Sequence, residues 1–370
     1  MNLYVFDKNM KLIGNIDEFD SFMWERNYYD PDKITIKVPP NFDNMELFQN
    51  GYTLVKAPDM KESIYIDHRS ISKDDDGINF LTIRGLSHDG WLDRRITLFQ
   101  QEEKGNSETV ARALIDKNCI NCEDLKRVIP FLKLGIYKDL GKEISRVSHY
   151  KNLNKEVIEV IKESELGIRS YFDESDFKIG IEFYKGKDRT ALQETNAPAI
   201  FSVDFENIEG QTFVDSDSEL KNTCLVAGAG EGKARKTLML NSEVSGLDRR
   251  ELFVDARDIS DKRVSGENEV SIPINEYNEL LKQRGLEKLS DCEETLTYEG
   301  DIIQTEGLIY REDYDLGDKV TLMDRELGIM LNERITQIVE TYTKEGLQID
   351  VRVGNNIPTL IDKIKRKIGD

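Results

Sequence analysis

Cysteine is scarce: Cys119, Cys122, Cys224 and Cys292 are the only four in 370 residues. So few, spread so widely, cannot build a disulfide framework, and they point to folding in a reducing compartment. Histidine is scarcer still, with His68, His88 and His149 far apart and none in a His-Glu-x-x-His or Gly-x-Ser-x-Gly setting. No stretch approaches the ~20 consecutive apolar residues that a membrane span needs. The opening Met1-Asn2-Leu3-Tyr4-Val5-Phe6-Asp7 lacks a basic region followed by an apolar run, so no export signal is expected. Positive charge is also short, 51 Lys and Arg against 71 Asp and Glu for a net charge of -20, which argues against tight binding to phosphate backbones.

What remains is a polar chain with a length prior of two to three domains. At 33% charged and 38% hydrophobic it falls on the polar side of ordinary globular proteins, so its cores must be thin or shared between subunits. Its 15 Phe, 14 Tyr and 2 Trp recur in alternating patterns, which excludes wholesale disorder.

The first hundred residues read as antiparallel strands: Leu3 to Phe6, Lys11 to Ile16, Phe22 to Tyr28, Lys33 to Val38, Tyr52 to Lys56, Ser63 to Ser72 and Ile78 to Leu86. Asp74-Asp75-Asp76-Gly77 joins the last two, and Asp-Gly between alternating strands marks a hairpin. Strands so closely spaced predict a small barrel or sandwich over residues 1–100. Residues 101–197 read as an α+β domain. It holds helices near 107–118, with Ser107 as N-cap, and 154–166, with Gly167 as C′, then a two-stranded ribbon through Ile168 to Phe172 and Phe177 to Phe183. Strands return at Ile200 to Phe205, Asn222 to Ala227, Thr237 to Glu243, Lys319 to Met323, Gly328 to Tyr342 and Gly346 to Val353, giving a second barrel-like domain over 198–245 and 301–355. Residues 246–300 form an α/β insertion with a strand at Glu251 to Val254 and a helix from Pro273 to Leu289 that Gly285 is expected to break early. An amphipathic helix over 356–370 closes the chain. The fold class is mainly β with α+β insertions, two small β-barrel-like domains alongside mixed α+β domains.

Several motifs invite chemistry and have simpler explanations. Gly228-Ala229-Gly230-Glu231-Gly232-Lys233 suggests a phosphate loop, but Ala227 and Ala234 replace its first glycine and its hydroxyl residue, and strand rather than helix follows, so a hairpin loop is expected. Asp74, Asp76 and Gly77 match part of a calcium loop, yet Ile83 stands where its bidentate Glu belongs. Cys119 and Cys122 have zinc-ligand spacing without the second pair that structural zinc requires. His88 beside Asp89 is an acid–base pair in outline, though a surface loop explains it more simply. Trp24, Tyr28 and Tyr29 read as core or interface aromatics before they read as a sugar platform. No catalytic, cofactor or metal residue is assigned.

One cluster is denser than solvation requires: Asp248-Arg249-Arg250-Glu251, followed by Asp255 and Arg257. Planar Arg–carboxylate pairs can lock a subunit boundary in register, and they can equally line an ordinary solvated turn.

Taken together, several stretches resemble siphovirus tail-associated proteins of the baseplate-hub type. They are Phe80 to Ser87 leading into Leu92-Asp93-Arg94-Arg95-Ile96, Lys187-Asp188-Arg189-Thr190 with Ile200-Phe201-Ser202, Gly228 to Lys233 with Gly246 to Arg257, and Asp315 to Val320 continuing to Arg334-Ile335. The resemblance implies a virion protein made in the bacterial host cytoplasm, two barrel-like hub domains per subunit, and a homotrimer closing a pseudo-sixfold ring. Such a ring joins the tail tube or distal tail protein and the tape-measure protein to tail-tip proteins, and DNA passes through it without specific binding. An acidic surface suits that passage, because attraction to phosphate would slow it. Longer relatives carry a C-terminal hydrolase or peptidase, so lytic activity is expected on a separate protein. The rival readings are a receptor- or glycan-binding tip module and a cell-wall hydrolase using paired carboxylates.

Overall fold

The structure is a computed structural model that describes residues 2–354 apart from 59, 74–76, 78, 99–100, 149, 266–267, 293, 303–306 and 344–345. The Asp74–Asp76 turn, His149 and the expected C-terminal helix therefore lie outside the described residues. The chain divides into a larger unit, Met1–Thr212 with Tyr298–Gly354, and a smaller one built from Phe213–Thr297.

The larger unit begins with seven strands, β1 (Leu3–Phe6), β2 (Leu12–Ile16), β3 (Ser21–Asn27), β4 (Lys33–Val38), β5 (Thr53–Lys56), β6 (Ser63–Lys73) and β7 (Asn79–Ser87), with helix α1 (Phe42–Leu47) after β4. Strict alternation drives them: in β4, Ile34, Ile36 and Val38 are buried while Lys33 and Lys37 face water. One sheet face packs Leu3, Val5, Phe22, Trp24, Leu54 and Ile83 into a core.

The middle of this unit comprises β8 (Gln101–Asn106), α2 (Ser107–Ile115), β9 (Leu132–Leu134), β10 (Glu143–Ser148), α3 (Leu153–Lys162), β11 (Gly167–Asp173) and β12 (Lys178–Tyr184). The cap of α2 is Asn106 rather than Ser107: its side-chain oxygen accepts from the Thr109 N–H at 2.8 Å, leaving Ser107 inside the first turn. Helix α3 stops at Lys162, short of Leu166, because Glu165 takes the left-handed conformation, and Gly167 opens β11 instead of capping the helix. Val110, Leu114, Val157, Val160 and Ile161 bury against Ile168, Ile179, Ile181 and Phe183, and Phe6, Val55 and Tyr65 from the opposite sheet face join the same core.

After β13 (Ile200–Ser202) and β14 (Ile208–Ser216), the chain enters the smaller unit: β15 (Thr223–Ala227), β16 (Thr237–Leu240), β17 (Glu251–Asp255), β18 (Lys262–Ser265), β19 (Asn268–Ser271) and α4 (Ile274–Ser290). Strand β15 is central, antiparallel to β16 and parallel to β17. Helix α4 covers one face of this sheet, burying Tyr277, Leu281 and Leu289 with Cys224, Val226 and Val254. Gly285 does not break α4; it lies within the helix, where a Cβ would meet Val226 and Leu240 at 2.6 and 2.5 Å. Gly228 to Lys233 form the loop between β15 and β16, as expected of a hairpin.

Strand β20 (Thr295–Ile302) leads back to β21 (Lys319–Asp324), β22 (Ile329–Thr343) and β23 (Gly346–Gly354). The 15-residue β22 does two jobs. Its first half pairs with β21, which runs parallel to β13, and its second half pairs with both β23 and β3. The early and late strands therefore form one open sheet ordered β14-β20-β23-β22-β3-β4-β7-β6-β5-β1-β2. The fold is mainly β with mixed α+β parts, and no sheet closes into a barrel among the described residues.

Backbone passes close to backbone where Gly186 meets the turn before β21. A Cβ on Gly186 would lie 1.9 Å from the Gly317 carbonyl oxygen, so neither segment could keep its place. Gly186→Ala is expected to destabilise the larger unit by about 2 kcal/mol, the scale of core overpacking. Urea denaturation reads it; an unchanged midpoint would show that the turn yields freely.

Candidate functional site

The Asp248–Arg257 cluster lies wholly in the smaller unit, around β17, and forms three local groups. Arg249 pairs with Glu251 at 2.7 Å and donates to the carbonyls of Ser242 and Val244 at 3.2 and 2.9 Å. Arg250 binds the carboxylate and carbonyl of Asp217, while its N–H donates to Asn222 Oδ1 at 2.9 Å. Asp255 sits between Arg257, at 2.6 Å, and Arg235, and the Arg257 hydrogen bond pulls its carboxyl down to about 2. Asp248 contributes its carbonyl, which accepts from Asn222 Nδ2 at 2.6 Å. Glu251 and Arg257 remain largely in water, with 64% and 66% of their side chains exposed.

These charges border an apolar row. Alternation points Cys224, Val226 and Val254 toward α4, which turns Leu225, Met239 and Phe253 to the other face. Register sets the three side by side, with Leu225 opposite both Met239 and Phe253. Phe253 is 60% and Met239 39% exposed, and Leu247, in the turn before β17, is 99% exposed. An apolar row edged by charge is the composition of a protein contact surface rather than of a reaction centre.

Inside the larger unit, two clusters escape sequence reading. Glu340 on β22 is completely buried, and it receives Arg26 Nε at 2.5 Å, Arg311 at 2.9 Å, Lys56 at 3.2 Å, and the hydroxyls of Tyr310 and Tyr342 at 2.9 and 2.7 Å. Glu62 faces the same three cations. Burial by itself would raise the Glu340 carboxyl; Arg26, Lys56 and Arg311 outweigh it and hold the group well below the usual carboxylate range.

The second cluster overturns the surface-loop expectation for His88 and Asp89, because both are buried. Thr53 Oγ1 and Ser63 Oγ stand 3.1 and 3.2 Å from the two ring nitrogens, and Trp91 packs edge-on at 4.5 Å. Ser170 Oγ accepts from the His88 N–H at 2.9 Å and donates to Asp89 at 3.1 Å, tying this turn to β11. Leu86, Trp91 and Leu92 around the pair are the one signal that could have marked it as interior. Trp24 and Tyr28 are core residues, and Cys119, Cys122 and Cys224 are buried thiols. No group of three or more potential ligands is placed to hold a metal among the described residues.

Stretches that are distant in sequence meet as latches. Arg189 Nε pairs with Asp318 at 2.9 Å, and Asp318 also accepts from the Lys187 N–H at 2.7 Å, which joins the Lys187–Thr190 and Asp315–Val320 stretches. Arg334 reaches Glu165 at 2.8 Å and the Gly317 carbonyl. The model of the siphovirus ReqiPepy6 Gp37-like proteins matches residues 2–355.

The chain belongs to that family.

A Gp37-like chain is a siphovirus-type tail protein, so this one is a phage or prophage tail protein, of a family found in the virion. Solved structures share the fold from end to end. The tail protein from Neisseria meningitidis MC58 is 14% identical with a TM-score of 0.53, and 96% of each chain is covered. The 43 kDa tail protein of prophage MuSo2 from Shewanella oneidensis is 11% identical with a TM-score of 0.53, covering 95% of this chain and 98% of its own. Prophage tail protein gp18 from Listeria monocytogenes EGD-e is 12% identical with a TM-score of 0.52, covering 100% and 99%. No curated protein matches the sequence. No helix among the described residues of the Gp37-like chain is long and apolar enough to cross a membrane.

Proposed function

We propose that this chain is a structural hub subunit of the tail tip, non-enzymatic, that closes with two further copies into a ring between the tail tube and the tip proteins. The observation that carries this reading is the end-to-end likeness to tail proteins, with 95% or more of both chains covered. The partners in this reading are the tail tube or distal tail protein, the tape-measure protein and the tail-tip proteins. DNA passes through the opening, and the net charge of -20 favours its free movement. The two sheet-bearing stretches at either end of the chain act as the hub modules. Electron microscopy of the purified chain tests the reading: a threefold ring with a central opening is expected, and particles without rotational symmetry count against it.

The apolar row of Leu225, Met239 and Phe253, with Asp248, Arg249, Arg250, Glu251, Asp255 and Arg257 around it, forms a contact with a second copy in this reading. Arg250 and Arg257 should then behave differently. Arg250→Ala loses two bonds to Asp217 and loosens the smaller unit itself, whereas Arg257→Ala leaves the melting temperature unchanged and weakens assembly. Melting temperature and native mass, measured on both variants, separate these effects. Normal assembly by Arg257→Ala would remove that residue from the contact.

A further inference from the structure

In a chain this acidic, one cleft reverses the charge. It is an open hollow of about 360 Å³ in the larger unit, lined by Asp93, Arg94, Arg95, Ile96, Lys126 and Arg127. None of its four cations pairs with a carboxylate among the described residues. The guanidinium of Arg95 donates to the carbonyls of Arg127 and Arg94, at 2.8 and 2.9 Å. Arg127 donates to the Ile96 carbonyl and to Asn118 Oδ1. Arg94 lies over the Tyr65 ring, 4.8 Å from its centre, and Lys126 projects into water. The one lining carboxylate, Asp93, accepts from Asn152 Nδ2 at 2.9 Å, and the nearby Asp124 caps the Lys126 N–H at 3.0 Å.

The carbonyl bonds fix two guanidinium groups at the cleft wall, so a ligand meets donors already in place and little ordering cost remains. Neutral carbonyls leave the positive charge uncompensated, and Arg forks match carboxylates in geometry as well as in sign.

We infer that this cleft is a binding site for an acidic peptide segment of a partner protein. The lining carries four cations from two separate stretches, Arg94–Arg95 and Lys126–Arg127, a charge that several carboxylates match better than one compact tetrahedral anion does. Ile96, 46% exposed, adds an apolar spot to the lining for a peptide's aliphatic carbons. A long polyanion such as nucleic acid would meet the negative field of the rest of the chain, whereas a short acidic segment reaches the cleft alone.

Calorimetry on the full chain at low ionic strength tests this, with hexaglutamate and inorganic phosphate as separate probes. Hexaglutamate should bind, and the double variant Arg94→Gln/Lys126→Gln should weaken that binding at least tenfold. Arg94 also stacks on Tyr65 and Trp91, so Lys126→Gln alone is the folding control: its side chain lies in water, and that variant should keep the melting temperature while weakening binding. Lys126→Arg should retain binding. The site is overturned if hexaglutamate fails to bind, or if the double variant binds it as tightly as the parent. Binding of phosphate without hexaglutamate would overturn the peptide reading in favour of a simple anion site.

Discussion

Glu340→Gln is expected to destabilise the larger unit by about 3–5 kcal/mol, the cost of removing one side of a buried ion pair. Arg26 and Lys56 are only 13% and 12% exposed, so neither can turn to water once the carboxylate is gone, and Glu62 alone would face three cations. The melting temperature should fall by roughly 10 °C, given about 2–4 °C per kcal/mol for a unit of this size. Glu62→Gln should cost less, because Glu62 is 20% exposed and water can replace part of what it supplies. The cluster also sets an acid limit. Since the Glu340 carboxyl is depressed on folding, its contribution is fully present above the ordinary carboxylate range and is lost as pH falls toward the folded value. A Glu340→Gln protein that melts with the parent would show that the cluster contributes nothing net.

The second large effect belongs to His88. Burial pushes its imidazole down to about 3; the Ser63 bond works the other way, and Arg94 adds a smaller push downward. A group depressed on folding contributes stability that is complete above its unfolded value, near 6.5, and is lost as pH falls toward the folded value. The contribution of His88 should therefore fall by about 2 kcal/mol between pH 7 and pH 5, while Asp32, whose carboxyl burial raises to about 7, works in the opposite direction over the same window. Urea denaturation of the parent and of His88→Gln at pH 7, 6 and 5 isolates the histidine: the variant should lose less stability than the parent as pH falls, whatever its own stability at pH 7. An unchanged slope in that variant would assign the acid sensitivity elsewhere.

Local pattern made much of this fold legible. Alternation in Lys33 to Val38 and helical spacing in Val157, Val160 and Ile161 each report a buried face, and the structure places them so. Strand β14 was not legible: its polar run Glu209-Gly210-Gln211-Thr212 carries no alternation, and pairing with β20 holds it at the end of the sheet. The union of early and late strands through β3 and β22 was equally invisible, because register between distant segments leaves no local trace. The buried ionic cluster shows this most clearly. Lys56 and Glu340 stand 284 positions apart, and each alone looks like one more surface charge in a chain full of them. His88 misled for a related reason, since the Ser63 and Thr53 hydroxyls that satisfy its ring come from other strands.

The Asp248–Arg257 cluster was visible as a dense charge run, whereas the apolar row beside it was not. Leu225, Met239 and Phe253 come from three strands and become one surface only through their register. In the proposed ring each subunit at -20 would repel the next, so closure would require contacts that outweigh this charge, and apolar area edged by opposite charges is one means.

The native mass of the purified chain, measured from low to high concentration and again with its neighbouring tail proteins present, tests ring formation most directly. Three times the 42.6 kDa subunit mass is the predicted result. A chain that stays monomeric throughout, alone and with those proteins, would contradict the hub.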